Sequence, residues 1–96
     1  MSAALTTLCL PHLKARLNRL ASDTTLDDTL SMRLNAAQSE LLDRGVHLIE
    51  DDADDQMILV DLAAYRYLNR DQPGGMPDWL RFRLKQRWMS LKGRAT

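Results

Sequence analysis

The sequence predicts an all-α domain of four helices. The stretch from Asp54 to Met89 reads as two helices joined by one glycine-proline turn. The first of these, about 55–69, is apolar on almost every side, with Met57, Ile58, Leu59, Val60, Leu62, Ala63, Ala64, Tyr65, Tyr67 and Leu68. A helix of that kind must be covered all round. Upstream, leucines recur at helical spacing in two further stretches, which is the material for that cover. The 96 residues support one domain, 1–96, with one modest core. A chain this short buries roughly 60–65% of its unfolded surface, so oligomerisation would add stability.

Residues 1–9 carry no clear period and are expected to be flexible. The first helix is expected over about 11–21, with Pro11 at its first position, where the missing N–H costs nothing. Leu10, Leu13, Leu17 and Leu20 form its apolar stripe, and Ser22-Asp23-Thr24 is the break. The second helix is expected over about 26–44. Thr25 is its expected N-cap, and Asp27 and Asp28 suit the positive end of the helix dipole. Leu26, Leu30, Leu34, Ala37 and Leu41 fall within roughly 80° of arc at about 100° per residue. Gly45 is placed to close the helix in the left-handed conformation, with Val46 folding back on Leu41. Val46 to Ile49 then reads as an extended connector over the core.

Five of the six residues from Glu50 to Asp55 are acidic. They lack the alternating acids, central glycine and distal glutamate of a calcium loop, so they read as a solvated loop that caps the third helix. Asp61 interrupts that apolar helix. A buried carboxylate needs a partner, either an arginine of its own subunit or a group on a neighbouring chain. The run from Asp71 to Gly75 is a turn.

Pro77 opens the last helix, about 77–91, which carries both tryptophans and much of the cationic charge. Leu80, Leu84, Trp88 and Leu91 make one apolar stripe; Trp79, Phe82 and Met89 make a second on roughly the opposite side. Arg81, Lys85 and Lys92 line one seam between them, and Arg83 and Arg87 the other. One stripe faces the core. The second either wedges against another part of the chain or marks an interface, and with Arg81, Lys85 and Asp61 it forms the candidate oligomer or partner surface. Arg83, Arg87, Lys92 and Arg94 are the candidate contacts to a DNA channel or an acidic partner.

Formal net charge is zero, yet residues 22–61 hold eleven acids against two arginines, and residues 79–96 hold six cations and no acid. These are either two solvated faces of one monomer or surfaces that attract between copies. Cys9 is the lone cysteine, which fits a reducing cytoplasm and rules out an intrachain disulfide. No signal peptide and no membrane contact are expected: there is no positive n-region, and no apolar run approaches the ~20 residues of a membrane span.

His12 and His47 sit in no recognisable motif, the one cysteine and two histidines lack zinc spacing, and Gly74-Gly75 follows a helix, not a strand. No enzyme activity and no cofactor are therefore expected, and function should come from association. A helix-turn-helix is disfavoured because the Asp71–Met76 linker exceeds the three or four residues that motif prefers.

The run Asp55-Gln-Met-Ile-Leu-Val-Asp-Leu-Ala-Ala-Tyr-Arg-Tyr-Leu-Asn-Arg70, then Gly75-Met-Pro-Asp-Trp-Leu80, then Arg87, resembles the head–tail connector proteins of tailed bacteriophages, also called head-completion or DNA-packaging adaptor proteins. Asp27-Asp28 followed by Leu30, Ala36-Ala37 and Gly45 is similar to their second helix. Where the family often has an acidic pair at the first helix, this chain has Leu10-Pro11-His12. The resemblance implies a small all-α subunit in a homo-oligomeric ring at the head–tail junction of a virion, assembled in the host bacterial cytoplasm. Such a ring docks beneath the portal protein, extends the channel through which DNA passes non-specifically, and receives the tail or a stopper protein. The other expectation, of a different class, is a small helical DNA-associated regulator.

Overall fold

The computed structural model describes residues 3–71 and 74–94, with the backbone alone for 91–94. Four helices follow one another: α1 (Ala3–Arg16), α2 (Asp27–Asp43), α3 (Ala53–Leu68) and α4 (Asp78–Arg94). The fold is all-α, and no strand occurs among the described residues. Helices α1, α2 and α3 pack on one another, whereas α4 packs closely on α3 alone. Among the described residues no helix is long and apolar enough to cross a membrane.

The N-terminal segment corrects the sequence reading. Residues 3–9 are helical, not flexible, because Leu5, Cys9 and Leu13 lie four residues apart and are all buried in the core. Pro11 therefore sits inside α1, not at its start. Its ring is on the exposed face, so the Thr7 carbonyl that loses a helical donor belongs to an exposed residue. Helix α1 also ends earlier than expected. Asn18 adopts φ 59°, its N–H donates to the Ala15 carbonyl, and the Arg19 N–H reaches back to Lys14. That is the Schellman stop, built on asparagine. Leu20 then lies past the helix and is 74% exposed. The largely buried Lys14 reaches beyond the turn, donating to the Ala21 carbonyl at 2.9 Å and pairing with Asp27 at 2.9 Å.

The face read for α2 is the buried one: Leu30, Leu34, Ala37 and Leu41 are in the core, with Leu26 packed against it. Gly45 has φ 81°, its N–H donates to Leu42, and the Val46 N–H donates to Leu41, which is the predicted stop. Thr25 is not the cap. The helix begins at Asp27, and the Thr25 hydroxyl and N–H are both taken by the Asp23 carboxylate at 2.6 and 3.1 Å. The α1–α2 interface holds a small polar group, where Thr6 donates to Asn35 and accepts from the buried Gln38 amide.

Helix α3 is the centre of the core, with Ile58 to Ala64 buried throughout. Its start is capped from the acidic run, as the residue types suggest: Asp52 accepts from the N–H groups of Asp54 and Asp55. Its ends are less covered, and Met57 and Leu68 are exposed. Arg66 holds Glu40 of α2 through two hydrogen bonds and donates to the Gly74 carbonyl, tying α2, α3 and the approach to α4 together. Residues 72 and 73 of the expected turn lie outside the described residues. Met76, in the linker, is a core residue. Pro77 stands one position before α4, and its carbonyl accepts from Leu80 and Arg81.

Candidate functional site: the two faces of the last helix

Helix α4 is held to the body by a short apolar contact and two buried carboxylates. Leu80 is fully buried and Leu84 packs partly against the core. Next to this stripe, Arg83 pairs with Asp61, whose other oxygen accepts from Arg16 at 3.1 Å. The site reading of Asp61 as a contact to a neighbouring chain is corrected here. Its carboxylate is buried and both oxygens are taken by arginines of the same chain, as an ionised group inside an apolar helix requires.

One turn further on, Arg87 binds Asp55 through Nε at 2.7 Å and Nη2 at 2.9 Å. The same Nη2 donates to the His47 carbonyl at 2.8 Å, and Asp55 also accepts from the Ile49 N–H at 2.7 Å. The connector, the start of α3 and α4 thus meet at one bidentate pair. Burial pushes the Asp55 carboxyl upward, but the hydrogen bonds from Arg87 and Ile49 and the Arg87 charge outweigh it and hold it below the usual carboxylate range. The Arg87 guanidinium is raised, chiefly by its hydrogen bond to Asp55.

These pairs decide what Arg83 and Arg87 do. Both were candidate contacts to DNA or an acidic partner, and both are instead committed within the chain. The side chains of Lys92 and Arg94, the other two candidates, lie outside the described residues, as does that of Leu91. Much of the acidic–basic asymmetry is likewise matched inside one molecule, through Lys14–Asp27, Arg16–Asp61, Arg66–Glu40, Arg83–Asp61 and Arg87–Asp55.

The opposite face of α4 is bare. Phe82 is 61% and Met89 58% exposed, with Arg81 and Lys85 exposed beside them. Trp79 is 43% exposed and sets its ring edge-to-face against Tyr65 at a centroid distance of 6.5 Å. Trp88 corrects the two-stripe reading: placed with the core stripe by angle, it is 60% exposed. It sits at the edge of that stripe, one turn past Leu84. The periodicity gives the direction of a side chain but not where the covering body ends.

A cleft of about 330 Å³ opens beside the same helix. Arg83, Gln86, Arg87 and Ser90 of α4 line one side, Asp52, Asp54, Asp55 and Ile58 of α3 the other, and Ile49 of the connector completes it. The cleft is not legible in the sequence, because it forms only where the acidic run and α4 come together.

The cysteine and the two histidines stand apart from one another in the described structure. Cys9 is fully buried, and burial pushes its thiol up to about 11, so it is not a thiolate at neutral pH. His12 and His47 are exposed on different elements. Among the described residues no group of three or more histidine, cysteine, aspartate or glutamate side chains is placed to hold a metal ion. No family model, curated protein or solved structure matches the chain.

Proposed function

We propose that this chain is a structural adaptor that assembles as a ring at the junction of a phage head and tail, docking beneath the portal and receiving the tail-side protein. The observation that carries the reading is the bare outward face of α4. Phe82 and Met89 stand mostly in solvent on the face of α4 away from Leu80 and Leu84, and Trp88 is exposed at the edge of the covered stripe. Large apolar side chains exposed together on one helix mark an association site, and Arg81 and Lys85 among them give it a polar rim. The resemblance of the α3–α4 sequence to head–tail connectors supplies the identity of the partners.

The DNA-associated regulator is the weaker reading on the same residues. A reading helix needs its arginines aimed at bases or phosphates, and Arg83 and Arg87 are held by Asp61 and Asp55.

The test is deletion of the coding sequence from the phage or prophage that carries it. The adaptor reading expects DNA-filled heads and free tails that fail to join, restored by the chain supplied in trans. Normal virions from the deletion would overturn it. A tight, sequence-selective complex with duplex DNA at physiological salt would favour the regulator instead.

A further inference from the structure

We propose that the cleft beside the start of α3 receives the outward face of α4 from a second copy of the chain, in a head-to-tail contact. The inference rests on the association reading above and assigns the surface that accepts the helix.

Phe82, Lys85 and Met89 lie at positions i, i+3 and i+7, which places them on one strip of α4. At about 100° per residue, the middle of that strip lies roughly 115° from the middle of the set Arg83, Gln86, Arg87 and Ser90, the residues of the same helix that line the cleft. A copy therefore cannot fold its own strip into its own cleft.

The two surfaces match in kind. The cleft offers apolar lining from Ile49 and Ile58 and carboxylates from Asp52 and Asp54, with Ile49 and Asp54 exposed. Its volume of about 330 Å³ is at the lower end of the range of pockets that hold small organic groups, ample for a phenyl ring. The strip offers Phe82 and Met89 with the cations Arg81 and Lys85 exposed alongside. Asp78 stands a turn before Phe82, where a carboxylate favours its own helix N-terminus.

The charges that remain decide the pairing. Arg83 and Arg87 are matched inside the chain, so the cations left on the strip are Arg81 and Lys85, opposite in sign to Asp52 and Asp54. Two α4 strips meeting face to face would oppose lysine to lysine; strip to cleft opposes lysine to aspartate. A contact between two different patches leaves each pair with one open strip and one open cleft. Such contacts propagate into a closed ring or an open filament.

Sedimentation velocity on the full chain tests this with Lys85→Glu and Asp54→Lys, using circular dichroism to verify that both remain helical. Each variant alone is expected to self-associate at least ten-fold more weakly than the unaltered chain. Asp54→Asn, which is gentler on the start of α3, should weaken association by less. An equimolar mixture of the two reversed variants should regain association and extend beyond a pair, because the native strip of one meets the native cleft of the other and the reversed strip meets the reversed cleft. Wild-type-like association of Asp54→Lys, a mixture that stays monomeric, or an unaltered chain that stays monomeric at millimolar concentration would each overturn the proposal. Assembly that ignores Asp54 would remove the cleft contact and leave the adaptor reading standing. Head-to-tail assembly by a chain whose deletion leaves virions normal would do the reverse.

Discussion

Gly45 closes α2 at φ 81° with open space where a Cβ would stand. The cost of a side chain there is therefore conformational and not steric. Gly45→Ala should lower stability by about 1 kcal/mol, the penalty of a left-handed L-residue; an unchanged or higher melting temperature would remove the cap from the account. Asp55 makes a larger and pH-dependent contribution. Its carboxyl titrates below the ordinary 3.8 in the folded chain, so the folded state binds fewer protons than the unfolded one. The stabilisation is present above that range and fades as pH falls through the lower folded value. Asp55→Asn should cost about 2–3 kcal/mol at neutral pH by leaving the partly buried Arg87 guanidinium without its charge partner, and should flatten the acid limb of the stability profile. Denaturant melts between neutral pH and pH about 3 measure both. Gly45 was legible because glycine followed by an apolar residue is a specific stop signal. Asn18 makes the same turn in α1, but asparagine is common on helix surfaces and gave no comparable signal. Thr25 looked like a cap and fails because α2 starts at Asp27, which puts Leu26 and not Thr25 at the cap position.

Helices α2 and α3 were readable to within a few residues, since their apolar positions repeat at helical spacing and their ends carry a glycine and a run of acids. Helix α1 was displaced because Pro11 imitates a first-turn proline. In its place a proline sits within a helix whose Leu5, Cys9 and Leu13 are all buried. Pro11→Ala should then restore one backbone hydrogen bond and relieve the ring clash, raising stability by about 1–3 kcal/mol. If residues before Pro11 were unstructured, the same change would leave the melt unaltered or weaken it. Helix α4 divides into a covered stripe and a bare one, so its side chains should separate by function. Leu80→Ala, at a fully buried site, should cost about 2–5 kcal/mol of fold stability. Trp88, given to the core by angle alone, is 60% exposed. Periodicity could not separate it from Leu84, because the body covers the first half of the helix better than the second.

At the scale of the molecule, the acidic middle and basic end of the chain are drawn together by folding. The sequence shows the imbalance but not its recipient. Only the antiparallel return of α4 along α3 brings Arg87 to Asp55 and Arg83 to Asp61. The same return forms the cleft and turns Phe82 and Met89 outward. The central claim is a division of labour on one helix: its inner side chains hold the fold, and its outer ones hold an assembly. The most direct measurement is native mass spectrometry of Phe82→Ala/Met89→Ala beside the unaltered chain, with a thermal melt of each. Aromatic anchors at the centre of an interface commonly contribute about 2 kcal/mol or more to association. The double variant should therefore keep its helical signal and a cooperative melt while shifting from oligomer to monomer. A double variant that unfolds, or that retains the oligomer of the unaltered chain, would contradict the claim.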